Sequence, residues 1–119
     1  MTPNELATDY RPPEPHALAG ASRRTIALVE RELDHEPNML TMRELATAPS
    51  DYAGCLITVT DGEQATRYRA VAAHFEDATT FFPVLGRHEV WQLMNLTSDT
   101  HPIHVHLDPF QILSRRPIR

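Results

Sequence analysis

The chain of 119 residues contains 11 arginines, no lysine and 16 acidic residues, giving a formal net charge of −5 at pH 7. This length allows one domain, and 41% hydrophobic with 23% charged residues is typical of a globular protein. The missing lysines exclude Schiff-base chemistry and a P-loop, and the negative charge argues against a nucleic-acid partner.

The first part of the chain is rich in proline. Four of the ten prolines lie within residues 1–15, and proline favours an extended, semi-rigid backbone. We therefore predict a linker or tail over residues 1–22 and one domain over residues 23–119.

The rest of the chain alternates between short runs with β-forming residues and turn-forming residues. The predicted strands are residues 25–30, 39–45, 56–60, 66–73, 88–96 and 105–114. Residues 43–48 are also compatible with a helix. Short strands at this spacing favour a sandwich or a barrel over a parallel α/β sheet.

Turn residues separate the predicted strands. A turn is expected over residues 34–38, and the pair Asp61-Gly62 predicts a hairpin between the third and fourth strands. Gly86 indicates a turn before the fifth strand. Pro109 interrupts the sixth and indicates an edge, a bend or a bulge there.

The chain carries no visible targeting or anchoring segment. Its apolar runs are far shorter than the ~20 residues of a membrane-spanning helix. No basic stretch followed by an apolar one opens it, so the cytoplasm is the default expectation and no membrane partner is expected. The single cysteine, Cys55, excludes an internal disulfide.

The predicted strands end as an open set, because only the short stretch Arg115-Arg-Pro-Ile-Arg119 follows the last of them. Complete domains usually cover such an edge, since an exposed edge strand promotes aggregation. We therefore expect the chain to be part of something larger, completed by a missing remainder or by a homo-oligomer.

Three of the seven histidines fall within six residues, in His101-Pro-Ile-His104-Val-His106. Imidazole is the commonest side-chain ligand of copper, zinc and iron. Alternate residues of an extended strand point to the same face, so His104 and His106 can enter one metal site together. His101 lies an odd number of residues from both, next to a proline that favours a turn. Two sites fit this spacing directly, whereas a single three-histidine site needs the turn to fold His101 back.

Residues 89–118, EVWQLMNLTSDTHPIHVHLDPFQILSRRPI, closely resemble the start of the last cupredoxin domain of multicopper oxidases. The nearest likeness is to bacterial phenoxazinone synthases, spore-coat laccases and bilirubin oxidases. It covers residues 86–118, extends back to about residue 23 and is absent from the proline-rich start. The resemblance implies an all-β, cupredoxin-like Greek-key sandwich of which this chain holds the first half.

The resemblance also implies copper as the cofactor and a role for each histidine. His101 would be the ligand of the type 1 copper, His104 of the type 2 copper and His106 of a type 3 copper. The intact enzymes oxidise small phenolic or aminophenolic substrates and reduce dioxygen to water.

The family's remaining ligands are not found in this sequence. The type 1 site needs a downstream His-Cys-His segment with a further His and Met, and Cys55 lies before the histidine segment without matching it. The His-x-His pairs of the first domain do not occur either. We therefore expect no turnover by the chain alone. The alternatives are a non-catalytic metal-binding β module that uses His104 and His106, completed by oligomerisation, and a structural relic of truncation.

Residues around the histidine segment have simpler interpretations. Trp91 is expected in the core of the strand that precedes it. Asp108 is a candidate hydrogen-bond acceptor for a ligand imidazole, and a loop cap before Pro109 is an equal alternative. Asn95-Leu-Thr97 has the form of a glycosylation acceptor, which we discount because it lies in a predicted strand and follows no signal peptide.

Overall fold

The structure is a computed structural model that describes residues 14–33, 36–54, 57–72, 74 and 76–117. The elements of this part of the chain are α1 (Pro15–Leu18), β1 (Ser22–Leu33), β2 (Glu36–Thr47), β3 (Ile57–Asp61), β4 (Gln64–Ala72) and β5 (Glu89–Asn95). The prediction of an all-β fold is confirmed. Within the described ranges, no helix has the length and apolar character that a membrane span requires.

The strands form one mixed sheet in the order β3-β4-β2-β1-β5. Antiparallel pairing joins β1 to β2, β2 to β4 and β3 to β4. The parallel pair is β1 with β5, in which Ser22 lies opposite Glu89 and Leu28 opposite Asn95. A mixed sheet whose sequential strands are not all neighbours is consistent with a cupredoxin-like domain.

Strand β1, which lies between β2 and the edge strand β5, has buried residues on both faces of the sheet. Ala27 is fully buried and packs in one cluster with Leu45 of β2 and Met94 of β5. Its neighbours Ile26 and Leu28 are each 5% exposed, and they face the opposite side because side chains alternate along a strand. The sheet therefore has apolar residues around β1, and the edge strand β5 pairs with β1.

The two edge strands approach each other at the apolar cluster and at a cleft. Ile57 and Val59 of β3 pack against the cluster that contains Met94 of β5. Residues of both strands also line a cleft of about 170 Å³, together with Ser114, Arg116 and Pro117. An ion pair of 2.7 Å between Arg116 and Asp61 holds that last segment beside β3.

The hairpin between β3 and β4 forms where the sequence predicted it. Asp61 pairs with Gln64, so Gly62 and Glu63 are the two loop residues. Gly62 has a φ of 62°. A positive φ at the first loop position is the conformation that glycine adopts in tight hairpins, and it matches the twist of the flanking strands.

An ionic and aromatic cluster connects the start of β5 to β1. The Arg24 guanidinium donates from Nε to Glu89 Oε2 at 3.1 Å and from Nη2 to Oε1 at 3.0 Å. Glu44 lies 3.9 Å from Arg24, and the Phe81 ring centroid lies 4.3 Å from the guanidinium carbon. Trp91 donates from Nε1 to Glu89 Oε2 at 2.7 Å. We call these five residues the Arg24 cluster.

The Arg24 cluster shifts the ionisation of its central pair. Hydrogen bonds from Arg24 lower the pKa of Glu89; burial opposes that shift, and the Trp91 indole adds to it. The pKa of Arg24 is raised, chiefly by its hydrogen bonds to Glu89. Both side chains are therefore charged at neutral pH, and their charge-assisted contacts fix the register in which β5 begins.

The prediction that Trp91 belongs to the core is wrong. Its side chain is 37% exposed and packs edge-on against Phe81, with 5.5 Å between the ring centroids. The buried residue of β5 is Met94, on the other face of the strand. Trp91 lies on the face that carries the Arg24 cluster, where its indole N–H has a carboxylate partner.

One other prediction about elements is also wrong, and one alternative that the sequence left open is not formed. The segment 105–114 is not a strand in the structure, because Pro109 cannot donate to a ladder and Leu107 has a φ of 75° that interrupts an extended backbone. The helix considered for residues 43–48 is not formed, since β2 continues to Thr47.

Some predictions fall on residues at the margin of the described part. Residues 1–13 of the predicted linker, residues 34–35 of the predicted turn, Cys55, and the strand ends at 56 and 73 lie outside the described residues. The helix α1 and the start of β1 at Ser22 lie within the range predicted as a linker, and the domain boundary near residue 23 stays a prediction.

Candidate metal site

The histidine segment follows directly from the edge strand β5. Parallel pairing with β1 extends to Asn95, and the backbone N–H of Leu96 donates to the carbonyl of Leu28 at 2.9 Å. The hydrogen bonds that anchor this end of β5 therefore come from the most buried strand of the sheet. Residues 96–106 then continue without regular secondary structure.

A compact turn connects β5 to His101. The side-chain Oδ1 of Asn95 accepts a hydrogen bond from the backbone N–H of Thr97 at 3.1 Å, and Nδ2 of Asn95 donates to the carbonyl of Asp99 at 2.6 Å. The Thr97 hydroxyl lies 2.7 Å from Oδ1 of Asn95 and 2.7 Å from Nε2 of His101. The half-buried His101 ring is therefore held by a side chain four residues earlier.

The rings of His104 and His106 lie next to each other. Their centroids are 4.9 Å apart and their planes are inclined by 72°. Both side chains are exposed, while Val105 between them is half-buried. Two adjacent exposed imidazoles present nitrogen donors to one small region of solvent, which is the chemistry that copper and zinc ligation needs.

The structure does not join the three histidines into one cluster. Over the described ranges, no group of three or more His, Cys, Asp or Glu side chains is placed to hold a metal ion. His104 and His106 form a pair, and His101 is held at the Thr97 turn. Asp108 is exposed, and its role stays a prediction. Cys55 lies outside the described residues.

The Thr97 turn is the part of this region that the sequence interpretation missed. The sequence pattern Asn95-Leu-Thr97 has the form of a glycosylation acceptor, whereas in the structure Oδ1 of Asn95 accepts a hydrogen bond from the backbone N–H of Thr97. Asparagine commonly stabilises turns in this way. An asparagine at a strand end, six residues before a proline-flanked histidine, was the available indication.

Comparison with known protein families identifies the family of the chain. Residues 49–119, more than half of its length, match the multicopper oxidase family. The chain belongs to the multicopper oxidase family. The match covers β3, β4, β5 and the histidine segment, and the sheet joins them to β1 and β2, which lie outside it.

Curated relatives support the same family over shorter stretches. The chain is 46% identical over 43 residues to a laccase of Bacillus subtilis, which is 36% of this chain and 8% of that protein. It is 49% identical over 43 residues to a laccase of Bacillus stratosphericus, with the same coverage. It is 33% identical over 57 residues to a multicopper oxidase of Arabidopsis thaliana, which is 48% of this chain and 10% of that protein. The chain thus spans a small part of the relatives it matches. No solved structure matches it significantly.

Copper is the metal that multicopper oxidase membership implies, and the donors of the histidine segment fit it. The paired imidazoles of His104 and His106 are exposed and 4.9 Å apart, so both are accessible to a metal from solvent. Nitrogen donors of this kind suit copper well. Copper binding by these histidines, and which copper each would bind, stays a prediction.

Proposed function

We propose that this chain supplies copper ligands to a multicopper oxidase. His104 and His106 contribute to one copper cluster, and His101 contributes to a separate copper. Family membership and the position of the histidine segment inside the matched region support this proposal. The observation that carries it is the 4.9 Å approach of the His104 and His106 rings, with His101 held apart at the Thr97 turn.

The roles implied by the resemblance complete the proposal. His101 binds the type 1 copper, His104 the type 2 copper and His106 a type 3 copper. When bound, the coppers take single electrons from small phenolic or aminophenolic substrates and reduce dioxygen to water. The protein fixes where the histidine segment begins, because β1 anchors the end of β5 and the Thr97 turn holds His101.

The remaining ligands come from another polypeptide region. The sequence contains no His-Cys-His segment, so a thiolate for the type 1 copper has to be supplied by the remainder of an oxidase or by a second chain. The edge strand β5 and the exposed pair His104 and His106 are the parts of the described chain that such a partner would approach.

Copper binding by the chain tests the proposal directly. Equilibrium dialysis of the full chain against Cu(II), with metal content measured by mass spectrometry, gives the affinity of the wild type. We expect His104→Ala and His106→Ala each to weaken binding at least tenfold, because each removes one of two nitrogen donors. His74→Ala is the matched control, since His74 is exposed and lies outside the segment.

The contradictory result is equal Cu(II) affinity in the wild type, His104→Ala and His106→Ala. Copper would then bind elsewhere on the chain, and the two adjacent imidazoles would have no role as ligands.

A non-catalytic metal-binding module is the second candidate. The observation that favours it is the solvent exposure of the paired His104 and His106 rings, which a metal reaches without any partner. This candidate predicts tight stoichiometric Cu(II) binding that is lost in His104→Ala, together with a homo-oligomer whose assembly depends on copper. Sedimentation of the chain with and without Cu(II) separates it from the oxidase proposal, which needs no such assembly.

A further inference from the structure

The contacts of the Thr97 hydroxyl decide which nitrogen of His101 carries a proton. Oγ1 of Thr97 lies 2.7 Å from Nε2 of His101 and 2.7 Å from Oδ1 of Asn95. A hydroxyl has one proton to donate, and a neutral imidazole has one N–H and one lone pair. The direction of the hydroxyl proton therefore fixes the imidazole tautomer.

The orientation of the Asn95 amide is set by the main chain. The backbone N–H of Thr97 donates to Oδ1 at 3.1 Å, and Nδ2 donates to the carbonyl of Asp99 at 2.6 Å. Reversing the amide would bring two donors together at Thr97 N and two oxygens together at Asp99. The oxygen of Asn95 therefore faces the Thr97 hydroxyl.

This orientation leaves one proton arrangement that satisfies every group. Oδ1 of Asn95 only accepts, and so does the Asp99 carbonyl oxygen at 3.2 Å from Oγ1. If the hydroxyl donated to His101 instead, two oxygens would meet at 2.7 Å with no proton between them. The hydroxyl therefore donates to Asn95, and its lone pair accepts the N–H of His101 Nε2.

We infer that Thr97, oriented by Asn95, is a positioning residue that holds His101 as the Nε2–H tautomer and leaves Nδ1 as its metal-binding nitrogen. The inference rests on the proposed function only for the role of His101 as a ligand, since the tautomer is a property of the metal-free chain. A hydrogen bond from the nitrogen that does not bind metal commonly fixes the tautomer and the ring orientation of a ligand histidine.

Long-range proton–nitrogen correlation spectra of the ¹⁵N-labelled, metal-free chain test the inference, at a pH where imidazoles are neutral. We expect wild-type His101 as a single Nε2–H tautomer with its N–H proton protected from exchange with water. Thr97→Ser keeps the hydroxyl and should keep both features. Thr97→Val removes the hydroxyl, so His101 should become a mixture of tautomers with a rapidly exchanging proton.

Thr100→Val is the matched control, because Thr100 is exposed and adjacent to His101 in sequence. It should leave the His101 spectrum as in the wild type. An Nδ1–H tautomer in the wild type overturns the inference, and so does a Thr97→Val spectrum identical to the wild type. If Thr97→Val does not fold, the wild-type and Thr97→Ser spectra decide the question.

The result is independent of the copper test. Loss of the expected copper binding at His104 and His106 would contradict the proposed function and leave the tautomer spectra unchanged. A wrong tautomer would contradict this inference and leave the copper affinities unchanged.

Discussion

At the scale of single residues, the histidine segment ends at a strained backbone position. Leu107 follows His106 directly, has a φ of 75° and is fully exposed. Among the described non-glycine residues it is the one with a positive φ. A left-handed conformation costs an L-residue roughly 1–2 kcal/mol, and an exposed side chain gains little packing in return. The strained residue therefore lies in the turn that follows His106.

Replacing Leu107 with glycine is expected to stabilise the chain. Glycine adopts a positive φ without steric cost, although its unfolded state gains entropy. We expect Leu107→Gly to raise the free energy of unfolding by about 0.5–1 kcal/mol, measured from urea denaturation midpoints. Leu85→Gly is the control, because Leu85 is also fully exposed and has no positive φ. Equal destabilisation in both variants would contradict the strain at Leu107.

At the scale of elements, the Arg24 cluster determines how β5 joins the sheet. Two charge-assisted hydrogen bonds connect Arg24 of β1 to Glu89 at the first position of β5. Both side chains are mostly buried, at 16% and 13% exposed. An ion pair of this kind is destabilising to break, because the remaining charge loses its partner. The pair therefore favours one register for β5, and with it one position for the histidine segment.

The Arg24–Glu89 pair predicts a pH dependence of stability. Because the pKa of Glu89 is lowered in the folded chain, ionised Glu89 stabilises the fold above the ordinary glutamate pKa of about 4.3. That contribution is lost as the pH falls through the lowered value. Glu89→Gln should therefore reduce the free energy of unfolding by about 1–2 kcal/mol at pH 7 and by progressively less at more acidic pH.

Urea denaturation between pH 3 and pH 7 measures this difference. Glu76→Gln is the control, since Glu76 is exposed, and it should follow the wild type at every pH. A difference between the wild type and Glu89→Gln that grows as the pH falls would contradict the assigned pKa direction.

At the scale of the whole molecule, local patterns predicted the strands better than their arrangement. Alternating side chains and the Asp61-Gly62 turn predicted the positions of all five strands within a few residues. The parallel pairing of β1 with β5 was not predictable from them, because it joins residues more than 60 positions apart through long-range packing. The sixth predicted strand does not form. Its composition favours a strand, but Pro109 lacks a backbone N–H and Leu107 has a positive φ.

The candidate site was predictable for a different reason. His104 and His106 are alternate residues, so spacing alone predicted that their side chains could lie together, and their motif belongs to a known family. An asparagine at the strand end indicated a turn, but the contacts of the Thr97 hydroxyl with an amide and an imidazole were not predictable, since they depend on backbone directions that no spacing rule contains. The sequence therefore predicted which residues are candidates to bind metal, while the structure indicates how His101 is oriented.

The central claim is that His101 is separate from the copper site of His104 and His106. Pulsed electron paramagnetic resonance of the chain loaded with half an equivalent of Cu(II) counts the imidazole nitrogens coupled to that copper. We expect the wild-type and His101→Ala spectra to be the same, and His104→Ala and His106→Ala each to lose an imidazole coupling. Loss of a coupling in His101→Ala would show all three rings on one copper and would contradict the account.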